Sequence, residues 1–327
     1  MELEEKVSME DWPMFGRNPQ HTAYYPGKIN PKRLKLKWRI KVEKPWIDWL
    51  PYSLVVIDNI TYFYNHAFDT ETGRELPFEG KISPYSVKVD NTLYKISKQG
   101  LLAMDKDTGK EQWRFRAEFP EIEASPAIAL NKIIFGIGNN FYALNTKTGR
   151  EEWKFTLPFK KVRCWSISPS VENSLAFFST DNEVYALNTE NGKKAWLFEV
   201  KSKYNYPRSW YFPPPLAVAN GIVYFGSVEG GRYGDCSNYW LHALDAETGK
   251  EKWVFKTKGE CGIAQPVVTN NTVIFGSNKL YILNENGKKI KKIKVKGYVD
   301  AIAIAKNAIY VGSNKVDTFL YAFCERN

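Results

Sequence analysis

Few residues in this chain are of types that do chemistry unaided. The histidines are His21, His66 and His242, and the cysteines are Cys164, Cys236, Cys261 and Cys324. No Cys-x-x-Cys spacing occurs, so neither a zinc site nor a dithiol redox centre is indicated, and no Ser-His-Asp order is persuasive. More informative are short segments that set aromatic rings beside charge. These are Trp46-Ile47-Asp48-Trp49, Arg163-Cys164-Trp165 and Arg208-Ser209-Trp210-Tyr211, with Glu121-Ile122-Glu123, Glu260-Cys261 and Tyr298-Val299-Asp300 beside them in kind. Flat plates flanked by charges of both signs suit a sugar, a nucleotide-like ring or a peptide. The ligand-binding candidates are therefore Trp46, Asp48, Trp49, His66, Glu123, Arg163, Trp165, Arg208, Trp210, Tyr211, Glu260 and Asp300. A catalytic carboxylate pair among Asp48, Glu123 and Asp300 is conceivable, but ion pairing or solvent exposure explains them as well. No catalytic residue is assigned. No metal site is assigned either, because Asp181-Asn182-Glu183 lacks the calcium-loop frame and reads as a turn. His242 lies inside an apolar run and reads as a packed residue.

The elements that must carry these segments are set by repetition. Tyr142-Ala143-Leu144-Asn145-Thr146-Lys147-Thr148-Gly149-Arg150-Glu151-Glu152-Trp153 reads as a hairpin, with Asn145 bonding its own downstream backbone and Gly149 supplying a positive φ. The pattern returns at Ala103 to Trp113, Ala186 to Trp196 and Ala243 to Trp253. Its alanine position falls at Ala67, Ala103, Ala143, Ala186, Ala243, Ile282 and Ala322. Its turn glycines (Gly73, Gly109, Gly149, Gly192, Gly249, Gly287) are spaced by 36, 40, 43, 57 and 38 residues. Those periods bracket the roughly 40–45 residues of a four-stranded propeller blade. Each unit opens with a short strand after a proline, turns at Asn or Asp, and returns through an apolar strand that often ends Phe-Gly-Ser. The hairpin completes it. The chain is thus expected to be all-β, a seven-bladed β-propeller of four-stranded antiparallel blades.

Two units are degenerate: Pro77 stands where the first tryptophan is expected, and Ile290 or Ile293 replaces the sixth. The seventh stops at Leu320-Tyr321-Ala322-Phe323-Cys324, with no fourth strand after it. Leu34 to Val42 alternates apolar and charged residues around Trp38, which marks a strand with one buried face. It is the missing fourth strand, so the ring closes by pairing the N-terminal strand with the last blade. Residues 1–33 are expected to be an irregular lead-in packed on the propeller, and 34–327 a single propeller domain.

The pattern Ala-x-Asp-x-x-Thr-Gly-Lys-x-x-Trp resembles the tryptophan-docking repeat of the pyrroloquinoline-quinone-like (quinoprotein alcohol dehydrogenase-like) propellers. The lead-in Trp12-Pro13-Met14-Phe15-Gly16-Arg17-Asn18-Pro19-Gln20-His21-Thr22 is similar to the start of many prokaryotic members. That group includes quinoprotein alcohol dehydrogenases and a non-enzymatic outer-membrane assembly lipoprotein. The resemblance implies that the tryptophan lies flat between adjacent blades, a structural fastener. For the enzymes it implies eight blades, a disulfide between adjacent cysteines and a calcium ion held by carboxylate and amide. Here seven units are counted and no two cysteines are adjacent. The expected function is accordingly a non-catalytic binding or scaffolding propeller, holding a small ligand or protein segment at the mouth of the central channel, with no cofactor. The alternative is a PQQ-dependent oxidoreductase, with calcium, or another enzyme using the same mouth.

In such a blade the loops between units, and those between second and third strands, share one face. The candidate residues sit in these loops, where their aromatics either form a pocket or plug the channel. An insertion in the fifth unit, Val228 to Asn238, should overhang the same face as a lid or partner contact. It would bring Cys236 within reach of Cys261 for a possible disulfide. Lys288 to Lys296 and Lys35, Lys37, Arg39 and Lys41 fall on neighbouring outer strands and could form a basic patch. Lysine on an exposed edge also blocks edge-to-edge pairing, so no nucleic-acid partner is expected. The net charge of +10 permits an acidic partner without selecting one. The acidic first residues do not read as a signal peptide and no run is long enough to span a bilayer, so a soluble monomer is expected, cytoplasmic as written and extracytoplasmic if the N-terminus is truncated or processed. Lysine well in excess of arginine, with glutamine scarce, gives a thermophile-like composition.

Overall fold

The computed structural model describes residues 11–18, 20–43, 54–78, 86–97, 100–117, 125–158, 168–180, 183–200, 216–229, 238–257 and 264–326. These form seven antiparallel four-stranded sheets, one of them extended by a fifth, parallel strand. Numbered along the chain, the inner strands of blades one to seven are Leu54–Ile57, Val87–Val89, Ala127–Ala129, Ser170–Glu172, Ala217–Ala219, Val267–Thr269 and Tyr298–Ala305. Blade seven takes Leu34–Val42 as its outer strand, paired antiparallel with Thr318–Glu325. The ring is closed by this pairing, as the alternation of Leu34 to Val42 and the short last unit require.

Each repeat hairpin is fixed by its first turn residue. Asn145 Oδ1 accepts from the backbone N–H groups of Lys147 and Thr148 at 3.0 and 3.1 Å, and the Gly149 N–H closes the turn on the Asn145 carbonyl at 2.9 Å. In blades one, two and five an aspartate does the same work and also accepts the threonine hydroxyl. Those bonds hold the Asp69, Asp105 and Asp245 carboxyls below the usual range, Asp245 at about 2.

The tryptophans join blade to blade. Trp38, Trp113, Trp153, Trp196 and Trp253 each donate their indole N–H to a turn carbonyl of the next blade, at 2.8–3.0 Å. Each ring lies against that blade's turn glycine so closely that a Cβ there would come within 2.5–2.8 Å of it. Every one of these glycines has a φ between +67° and +75°. The seven alanine-position residues are buried in the third strands. In the five complete units the alanine faces the tryptophan across the ladder.

Register revises the two degenerate units. Leu76, not Pro77, pairs with Ala67 and so holds the tryptophan position of blade one. Nothing lies within 4 Å of a Cβ built on Gly109, the glycine that ring would have covered. In blade six neither Ile290 nor Ile293 takes the position: a bulge next to Ile282 puts Lys291 opposite it. Five of the seven joints between blades are therefore indole joints, and those from blade one to two and from six to seven are not.

Candidate functional site

The lead-in runs along the inner strands, at the centre of the ring. Trp12 pairs with Val56 of blade one through bonds of 2.7 and 2.9 Å. The carbonyls of Gln20, Thr22 and Ala23 accept from Val171, Val218 and Val268 of blades four, five and six, at 2.8–2.9 Å. Tyr24–Tyr25 then adds a parallel strand to blade six, and Tyr25 bonds Asn307 of blade seven at 2.9 Å. These bonds use backbone groups that an innermost strand would otherwise leave unpaired. Trp12, Ala23, Tyr25 and Ile29 are buried by them.

His21 is the pin of this segment. The ring is fully buried; its Nδ1–H donates to the Pro169 carbonyl at 3.0 Å, and Ser125 Oγ donates to Nε2 at 3.0 Å. Ser170 Oγ donates to the His21 carbonyl at 2.9 Å and also reaches Leu216 O at 3.0 Å. His21 thus ties blades three and four to the lead-in, and Ser170 carries the link on to blade five. Burial, which penalises the charged ring, lowers its pKa to about 4, with the Pro169 carbonyl pulling weakly the other way. A neutral imidazole with both nitrogens engaged is a structural group. His242 is similar: stacked on Phe225, bonded to Ser227 and Glu251, and shifted down by burial more than Glu251 raises it.

Of the binding candidates, the described residues include His66 and Asp300. His66 opens the third strand of blade one, and Asp300 lies near the start of the inner strand of blade seven. First and third strands of a blade run the same way, so both residues lie on the same face, in adjacent blades. His66 Nδ1 is 2.7 Å from Glu75 Oε1, Nε2 is 3.2 Å from the Glu43 carbonyl, and the ring stacks on Phe68. Asp300 is half-buried. Trp46, Asp48, Trp49, Glu123, Arg163, Trp165, Arg208, Trp210, Tyr211 and Glu260 lie outside the described residues, as do Cys236 and Cys261. Sequence reasoning packed the lead-in on the propeller but did not find its path along the inner strands. Its signal, non-glycine residues at positive φ (Arg17, His21, Ala23), is conformational.

Among the described residues no group of three or more histidine, cysteine or acidic side chains could hold a metal ion. No two cysteines are adjacent in the sequence. No helix among them is long and apolar enough to cross a membrane.

Comparison with known proteins places this fold. BamB from Moraxella catarrhalis superposes with a TM-score of 0.55 at 17% identity, over 82% of this chain and 81% of that one. Quinohemoprotein alcohol dehydrogenase ADHIIG from Pseudomonas putida HK5 gives 0.57 at 13% identity, over 97% and 80%. The quinohemoprotein alcohol dehydrogenase from Comamonas testosteroni gives 0.57 at 14% identity, over 98% and 81%. At such identities the likeness is one of fold. No curated protein matches the sequence. The profile of the family described as outer membrane protein assembly factor BamB matches residues 35–164, 97–204 and 163–300, overlapping segments that span most of the chain. The chain belongs to that family, as a PQQ-like β-propeller whose fold is common to an assembly factor and to quinone-dependent dehydrogenases.

Proposed function

We propose that this chain is a non-catalytic binding or scaffolding propeller that holds a small ligand or a protein segment on the face shared by His66 and Asp300. The observation that carries this reading is the lead-in, whose backbone bonds to the inner strands of blades one, four, five and six brace the ring from its centre. A braced ring whose sequence sets aromatic residues beside charge between its blades fits recognition by loops on a rigid scaffold. The family's description as an assembly factor supports the same direction. The opposing reading, a quinone-dependent oxidoreductase, draws on the dehydrogenases of the same fold.

One experiment separates them. The purified chain is incubated with pyrroloquinoline quinone and calcium, desalted, and examined for retained near-ultraviolet absorbance and for dye reduction with ethanol. Neither is expected. Stoichiometric quinone with turnover would replace the binding reading by the oxidoreductase. In parallel, tryptophan emission is titrated with maltotriose, ATP and a tripeptide. At least one should quench it, and Trp165→Ala or Trp210→Ala should remove the response; silence towards all three would count against a small ligand.

A further inference from the structure

The joint between blades six and seven differs from the others in chemistry as well as shape. Lys291 holds the tryptophan position, and its Nζ donates to the Leu34 carbonyl at 2.8 Å. It reproduces the polar half of an indole joint and leaves out the ring. The blade-seven side has no glycine turn to receive a ring, because its third and fourth strands come from opposite ends of the chain. A groove of about 610 Å³ remains between the two outer strands.

Six of its twelve lining residues are cationic and none is acidic. They are Lys35, Arg39, Lys291, Lys292, Lys294 and Lys296. Arg39 and Lys296 are both drawn over the Phe319 ring. Lys35, Lys292 and Lys294 are exposed and have no carboxylate partner among the described residues. Six positive charges around one groove make a field that favours an anionic occupant.

The rest of the lining selects among anions. Tyr321 and Phe323 stack at 5.9 Å, but each is only 3% exposed, so neither offers a face on which a nucleobase could stack. Leu36, in contrast, is 45% exposed at the rim. An apolar contact beside unpaired lysines matches a chain that alternates carboxylates with apolar side chains. We propose that the groove between blades six and seven is a docking site for an acidic, leucine-rich peptide segment of a partner protein. Its carboxylates meet Lys292 and Lys294, and an apolar side chain rests on Leu36.

The test uses the full chain and a fluorescein-labelled peptide of alternating Glu and Leu, read by anisotropy at low salt. The Glu-Leu peptide should bind, its Gln-Leu counterpart should not, and added salt should weaken binding. Lys292→Glu with Lys294→Glu should weaken it by about tenfold or more, at an unchanged melting temperature. Leu36→Asn should weaken it less. Lys154→Glu with Lys194→Glu, on the outer strands of blades three and four, should leave it unchanged. Equal loss in that control pair, or no loss in the first, overturns the proposal. So does oligo-dT that outcompetes the peptide and loses binding in the same variant, which would assign the groove to nucleic acid.

Discussion

At the scale of single residues, the same glycine performs two tasks that can be measured apart. Gly192 and Gly109 both sit near φ +68°, a conformation that penalises any Cβ. Gly192 also receives the Trp153 ring, with a Cβ there falling 2.7 Å from it, whereas Gly109 has nothing within 4 Å. Gly109→Ala should therefore lose only the conformational part, about 1–2 kcal/mol, and Gly192→Ala distinctly more. Trp153→Ala, which empties the joint, should cost roughly 3–5 kcal/mol. Urea denaturation of the three variants checks the order; equal losses at the two glycines would show that the joint contributes little. This much was legible in the sequence because repetition exposes it: four tryptophans (Trp113, Trp153, Trp196 and Trp253) at one offset from a glycine cannot be chance. The two degenerate units were legible as such, but not the residues, Leu76 and Lys291, that take the tryptophan position in them. Lys291 takes the tryptophan position beside the same bulge that the complete blades carry, and a search for an apolar substitute looks past a lysine.

At the scale of elements, the lead-in shows what periodicity cannot reveal. It has no repeat, and its hydrogen-bond partners in the blades lie from 44 residues away (Trp12 to Val56) to 293 (Arg33 to Arg326) along the chain. The sequence led to an irregular lead-in packed on the propeller but gave no path along the inner strands. The hold of this element depends on a neutral His21. Its pKa in the folded protein is about 4, against 6.5 for a free histidine. Between those values the unfolded chain binds the extra proton, so stability is complete above about pH 6.5 and falls as the pH drops towards 4. The contribution lost between those two values is roughly 3 kcal/mol, at about 1.4 kcal/mol per pH unit. Melting temperatures recorded from pH 7.5 to 4 should show this decline, and His21→Gln should be less stable at neutral pH but flatter across the acid range. A parallel decline in the variant would place the acid sensitivity elsewhere, with His242 the next group to examine. His66 and Asp300 were readable as neighbours on one face from their place in the repeat, but the contacts they make, such as His66 with Glu75, depend on tertiary geometry that no spacing encodes.

At the scale of the whole molecule, closure decides whether seven blades behave as one body. Leu34–Val42 completes the sheet of blade seven and also carries Trp38, whose ring covers Gly73 of blade one. One strand thus supplies both the last ladder and one of the five indole joints. A chain lacking residues 1–42 would lose both together with the lead-in. It would leave Thr318–Glu325, a mostly buried strand rich in Phe, Leu, Tyr and Ala, as an open edge. An unpaired apolar edge of that length is a template for pairing with another chain. The truncated protein should melt well below the full chain and scatter light at concentrations where the full chain does not. A synthetic peptide of residues 34–42, added in excess, should raise the melting temperature and suppress the scattering by taking up the vacant ladder. The same peptide with Trp38 replaced by Ala should rescue less, because it restores the ladder without the joint. An unchanged melt on truncation would mean that the ring is held by the packing of the inner strands alone, and that the closing strand is dispensable.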